Sequence, residues 1–144
     1  MEPQIVWATD GQSFYFVDGD KRIVQLPVTS GKKTAVGSAE RVLGVVNNTL
    51  IIARGNPWRL IRLSSDGQDE SVIVALDRAE SVGIGTIIPN SEVLSVVVRE
   101  RQAQQYMKNP WMPTLFVNLE SGAVCGRIGE PIVGYYRAAP ATSH

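Results

Sequence analysis

The chain has 144 residues and a mass of 15.7 kDa, a length that suits one domain able to bury roughly two thirds of its unfolded surface without metals or disulfides. Fourteen Lys plus Arg balance fourteen Asp plus Glu, charged residues make up 19% and apolar residues 44%, which excludes a disordered chain and a generally basic nucleic-acid binder. A single Cys, Cys125, and a single His, the final His144, exclude an internal disulfide and remove most His-dependent and thiolate-pair chemistry.

Met1 to Gly11 has no basic stretch ahead of a long apolar run, and nowhere do about 18 apolar residues stand together as a membrane helix needs. The expectation is a soluble, cytoplasmic protein without membrane contact. Residues 1–137 are expected to form a single all-β domain, and the small, polar stretch 138–144 around Pro140 a flexible tail.

Short β-branched or aromatic runs follow one another along the chain: Ile5 to Trp7, Phe14 to Val17, Ile23 to Leu26, Val42 to Val46, Leu50 to Ala53, Leu60 to Leu63, Val72 to Leu76, Val93 to Val98, Leu115 to Leu119 and Ile132 to Tyr136. Each has the length of a strand. Between them stand residues that supply a positive or a fixed φ, among them Asp10-Gly11, Asp18-Gly19, Ser30-Gly31, Asn47-Asn48, Asp66-Gly67 and Ser121-Gly122. Only Arg99 to Met107, long-chained and free of Gly and Pro, permits a helix, and a solvated loop would suit it equally. The pattern is all-β.

The signals also repeat in order. Ile23-Val24-Gln25-Leu26 leads to Ser30-Gly31, Leu60-Ile61-Arg62-Leu63 to Asp66-Gly67, and Phe116-Val117-Asn118-Leu119 to Ser121-Gly122. Two strands precede each marker leucine and one short apolar run follows each Gly turn, so the predicted unit is an antiparallel four-stranded sheet. Three units result, about 4–36, 42–76 and 82–128. The marker leucines lie 37 and 56 residues apart, against about 40 to 45 residues for a propeller blade. An insertion from about Gln102 to Pro113 explains the longer spacing, and Asn56-Pro57-Trp58 recurs as Asn109-Pro110-Trp111 just before the Leu-ending strand.

A strand, then Asp-Gly, then an aromatic or aliphatic strand, then a second strand and a Gly turn resembles the blade of the TolB-like, WD-repeat-like β-propellers. Those blades often carry Ser-Pro-Asp-Gly at the first turn, and Ala8-Thr9-Asp10-Gly11 is the nearest match here. Val46-Asn47-Asn48 and Ile88-Pro89-Asn90 depart from it in the other two units. The resemblance spans roughly residues 4–128 and implies three β-propeller-type blades with a ligand or partner surface at one end of the channel. It carries over no catalytic residue.

Propellers close with typically about 4 to 8 blades. Three blades would leave both flanking sheet faces open, and those faces hold the same Val, Ile and Leu that fill the spaces between blades. Either a second copy completes the half-propeller as a homodimer, or the units pack as a sandwich or barrel.

The residues supply little catalytic chemistry. A Ser-His-Asp site would need His144, and no Ser-x-x-Lys occurs. Asp18-Gly19-Asp20 and Asp66-Gly67-Gln68-Asp69-Glu70 lack calcium-loop spacing and read as hairpin turns, zinc lacks ligands, and no cofactor or metal is expected. Gly83-Ile84-Gly85 lacks a third Gly and a following helix, so close packing or a bulge is the expectation. Asp77, Glu80, Glu92, Glu100, Glu120 and Glu130 could give a carboxylate pair for a small hydrolase acting on a carbohydrate. Arg54, Trp58, Arg59 and Arg62, with Arg99, Arg101, Tyr106, Lys108 and Trp111, mix cations with rings. A balanced net charge makes a solvated basic edge the preferred reading over a nucleic-acid site.

The insertion is the expected contact surface, because loops carry binding residues more often than scaffold strands do. Arg101, Tyr106, Trp111 and Met112 are its candidate binding residues. The overall expectation is a non-enzymatic β-propeller-type binding or interaction module for a protein or small-molecule ligand. The alternatives are the carbohydrate hydrolase and a fragment of a larger propeller protein.

Overall fold

The computed structural model describes residues 4–101, 112–129 and 137–138. The described residues form strands, turns and bends without a helix. The first sheet orders β1 (Val6–Trp7), β2 (Ser13–Val17), β3 (Arg22–Pro27) and β4 (Thr34–Ser38) side by side. The second does the same with β5 (Arg41–Val46), β6 (Thr49–Arg54), β7 (Arg59–Ser64) and β8 (Glu70–Ala75), and the third with β9 (Ala79–Ile87), β10 (Val93–Glu100), β11 (Thr114–Asn118) and β12 (Val124–Ile128). All pairings are antiparallel. The two-residue β13 (Arg137–Ala138) adds to the outer edge of the second sheet, with Arg137 opposite Ala75 and Ala138 opposite Val74. Residues 139–144 of the expected tail and the run Ile132 to Tyr136 lie outside the described residues.

Each expected run within the described residues falls on a strand, because β-branched stretches end where the chain must take a positive φ. Asn47 and Asn48 join β5 to β6 with φ of 48° and 63°, the two left-handed positions of a type I′ hairpin. The first and third sheets use a longer link in the same place: the Ala8 N–H donates to Ser13 O at 2.9 Å and the Ile88 N–H to Val93 O at 2.8 Å. Arg99 and Glu100 extend β10, so the helix-permissive stretch begins inside a strand; its residues 102–107 lie outside the described ones.

Strand register corrects one detail of the repeat. Phe14 stands opposite Leu26 and Leu50 opposite Leu63, but Leu94 stands opposite Val117. Val117, two residues ahead of Leu119, is therefore the equivalent of the first two markers. A two-residue slip preserves the face of a strand, which is why both residues read alike in the sequence.

The sheets stack face to face, and their inner strands β1, β5 and β9 neighbour one another. Tyr15 and Ile23 of the first sheet pack with Leu50, Ile52, Ile61 and Leu63 of the second. Ile51, Ala53 and Leu60 on the opposite face of the second sheet pack with Leu94, Val96, Leu115 and Val117 of the third. The second sheet is thus apolar on both sides, so Leu50, Ile51, Ile52 and Ala53 form an unbroken buried run. The third has one buried face, so Leu94, Val96 and Val98 alternate with less buried neighbours.

One repeat of register governs both contacts. Leu50, Ile52 and Leu63 face the preceding sheet, as do Leu94, Val96 and Val117. In the first sheet the same register positions hold Phe14, Phe16 and Leu26, and no sheet among the described residues packs on them. The face that looks to the following sheet carries Tyr15 in the first unit, Ile51 in the second and Ser95 in the third.

Candidate functional site

Three surfaces follow from this stacking. The first lies where the inner strands meet. Gln4, just ahead of β1, donates from Nε2 to Leu43 O at 3.2 Å and to Gly85 O at 2.6 Å, and its Oε1 accepts the Gly85 N–H at 3.0 Å. One amide side chain ties β1 to both β5 and β9. Gly85 belongs to the pair singled out in the sequence, and a Cβ there would meet Leu43 Cβ at 3.0 Å and Leu94 Cδ1 at 3.1 Å; close packing is what that glycine provides. Gln4→Ala is expected to cost about 1–3 kcal/mol, since it leaves partly buried backbone groups of β5 and β9 without their partner. Urea unfolding of the variant beside the wild type measures this.

Beside Gln4 a cavity of about 460 Å³ opens among Lys21, Glu40, Arg41, Trp58 and Ser81. Arg41 is 7% exposed, and burial lowers the pKa of its guanidinium below the ordinary arginine value. Glu40 accepts the Gly55 N–H at 2.7 Å and lies 3.5 Å from Lys21 Nζ. The Trp58 ring packs on the core shared by the second and third sheets, and its Nε1 donates to Glu80 O at 2.9 Å. Trp58 therefore lies over Gly55 of its own hairpin while its Nε1 reaches across to β9.

The second surface is a groove of about 900 Å³ between the second and third sheets, lined by Asn47, Arg62, Glu92, Asn118 and Glu120. Arg62 donates to Leu119 O across it. Of the other acids named from the sequence, Glu100 is 3% exposed and held by both guanidinium nitrogens of Arg127, and Glu80 lies 3.5 Å from Arg99 Nε. Glu130 lies outside the described residues.

The third surface is the outer face of the first sheet. The Trp7 and Phe14 rings meet edge to face with centroids 5.5 Å apart, and Phe14 and Phe16 follow at 6.3 Å. Trp7 is 57% exposed, and Ile5 and Val28 beside it are exposed too. Phe14 and Phe16 are half-buried behind the exposed Trp7, and a contiguous aromatic strip of this kind marks an interaction surface far better than scattered apolar residues do.

The binding residues expected in the insertion are placed as follows. Arg101 is exposed but engaged: its N–H donates to Arg78 O at 2.9 Å and its Nη2 to Asp77 O at 2.6 Å, so it ties the end of β10 to the link between the second and third sheets. Met112 is exposed. Tyr106 and Trp111 lie outside the described residues. Other cations of the supposed basic edge make similar ties, with Arg54 donating to Ser38 O at 2.9 Å and pairing with Glu70 at 2.6 Å. The acidic loops are turns. The Arg22 and Asp20 N–H groups and the Arg22 side chain bond the Asp18 carboxylate and hold its pKa below the ordinary 3.8, and the Ser64 hydroxyl with the Gln68 N–H does the same for Asp66. Sequence reasoning misses Gln4, for which no local signal exists, and also the Trp7, Phe14 and Phe16 face, to which the alternation of Phe14 and Phe16 across Tyr15 is the available signal.

No protein-family model matches the sequence, and no curated protein matches it. Among solved structures the chain is similar to that of "putative TolB" from Agrobacterium tumefaciens, with a TM-score of 0.63 and 15% identity over 85% of this chain. The chain spans 47% of that chain's length. The likeness shows the fold: the three four-stranded sheets are β-propeller blades of the TolB-like kind.

Proposed function

We propose that this chain is a non-enzymatic β-propeller-type interaction module that works by covering exposed blade faces and loops with a protein partner. The observation that carries this reading is the aromatic strip of Trp7, Phe14 and Phe16 on the first blade, set at register positions that the other two blades bury against a neighbour. Propeller folds serve as scaffolds for such contacts, and large rigid rings are the usual anchors of protein interfaces. Arg101, Tyr106, Trp111 and Met112 supply a second contact surface in this proposal, at the insertion between β10 and β11.

The test replaces Trp7 and Phe14 together with Glu. The wild-type chain is expected either to associate or to enhance the fluorescence of anilinonaphthalene sulfonate, a probe of exposed apolar surface. The double variant is expected to do neither while keeping its far-ultraviolet circular dichroism. A wild-type chain that neither associates nor binds the dye overturns the reading. A second reading, the carboxylate-based carbohydrate hydrolase, draws on Glu92 and Glu120 at the groove between the second and third blades; it requires that Glu92→Gln or Glu120→Gln abolish hydrolysis of a glycoside by the purified chain.

A further inference from the structure

We infer that the partner covering the first blade is the third blade of a second copy of this chain, and that two copies close one ring head to tail. The inference rests on the interaction reading above and names its partner. Three observations carry it.

First, the free face of the first blade is a standard blade face in this chain's own register. Phe14, Phe16 and Leu26 hold the positions at which Leu50, Ile52 and Leu63 pack on the first blade and Leu94, Val96 and Val117 on the second. What such a face receives in both internal contacts is the forward face of the blade before it. The described chain carries one forward face without a successor, that of the third blade.

Second, the two free faces differ from the internal ones in a complementary way at the Ser95 position, and both are apolar around it. The backward face of the first blade is enlarged, with Phe14 and Phe16 where the other blades have Leu50 and Ile52 or Leu94 and Val96. The forward face of the third blade is reduced at one matching position, with Ser95 where the others have Tyr15 and Ile51, while opposite it Phe116 stands where the others have Gln25 and Arg62. Large against small is how facing layers interdigitate without voids. Apolar groups remain around Ser95: Phe116 stands opposite it, Ile128 is paired with Thr114 on the same face, and Ile128 is 61% exposed.

Third, the arithmetic closes. Two copies of three blades give six, inside the range of about 4 to 8 in which propellers close, and this chain spans 47% of the TolB-like chain it resembles. The closure is heterologous at each contact, first blade on third, yet a two-fold axis along the channel makes the two contacts identical.

Size-exclusion chromatography with light scattering, run over a range of concentrations, tests the inference. The expected mass is twice 15.7 kDa. Phe16→Glu on one face and Phe116→Glu on the other are each expected to give a folded monomer, and mixing the two variants restores a dimer through the one contact whose faces are both unaltered. Trp7→Glu, at an exposed site, replaces Phe16→Glu if that variant does not fold. A wild-type chain that stays a folded monomer at every concentration overturns the inference, whether the missing blades then come from another protein or from none. So does a Phe116→Glu variant that stays dimeric while Phe16→Glu is monomeric, because that result means two first blades meet face to face. A wild-type monomer that still binds anilinonaphthalene sulfonate leaves the interaction reading standing without the second copy; a monomer that does not bind it overturns both.

Discussion

Gly67→Ala is expected to destabilise the fold by about 3 kcal/mol, the sum of a left-handed strain of roughly 1–2 kcal/mol and an overpacking cost of roughly 1–3 kcal/mol. Gly67 ends the turn between β7 and β8 with φ of 79°, and a Cβ there would sit 1.8 Å from Val36 O on β4 of the first blade. The obstacle is backbone, so no side-chain rotation relieves it, and the turn must withdraw from the neighbouring blade. Gly31, in the corresponding turn of the first blade, provides the control. Its φ is 66° but nothing lies within 4 Å of its added Cβ, so Gly31→Ala bears the strain alone, about 1–2 kcal/mol. The difference between the two variants in thermal melting isolates the blade-to-blade contact. At roughly 2–4 °C per kcal/mol for a chain of this size, Gly67→Ala is expected to melt roughly 6–12 °C below the wild type. Equal shifts in both variants contradict the packing of the second blade's turn on the first blade.

A second large effect is expected at the ion pair on the buried side of the third blade. The Arg127 side chain is 9% exposed and that of Glu100 3%. Nη1 donates to Oε2 at 3.1 Å and Nη2 to Oε1, a two-pronged fork across β10 and β12. Removing the cation leaves a buried carboxylate without its guanidinium, at a cost of up to about 3–5 kcal/mol. Arg127→Met is therefore expected to move the urea midpoint far down. The double replacement Glu100→Leu with Arg127→Met, which removes both charges and fills the space with apolar groups, is expected to recover most of the loss, because a desolvated pair contributes little beyond a well-packed apolar one. A double variant as unstable as Arg127→Met alone means that the pair specifies the packing of this blade.

Much of this architecture was legible because the chain punctuates itself. Asn47-Asn48, Asp66-Gly67 and Ser121-Gly122 interrupt β-branched runs at places where the backbone must turn, and their recurrence shows a unit of four strands. Counting the units then predicts unpartnered outer faces without any coordinates. Leu119 reads as the third marker in the sequence, although Val117 takes that register position, because the insertion breaks the spacing and a shift of two residues leaves the side-chain face unchanged. The long-range polar ties were illegible for a different reason. Gln4 reaches Leu43 and Gly85 across 39 and 81 positions, and nothing local distinguishes it from a solvated glutamine. Arg54, Arg62 and Arg101 read as a solvated basic edge in the sequence, yet each donates to a carbonyl oxygen of a neighbouring blade or of the link leading to one. Cations and amides at blade edges are assigned by tertiary distance, which a pattern of hydrophobic periods does not contain.

The most direct test follows the Trp7 indole itself. In a chain whose Trp58 and Trp111 are replaced by Phe, acrylamide quenching of the remaining ring reports whether the first blade's outer face is wet. The account predicts open quenching at high dilution, giving way to shielding and a blue-shifted emission as the protein concentration rises and the face is covered. A Trp7 that quenches equally and fully at every concentration, in a chain with unaltered circular dichroism, would contradict it.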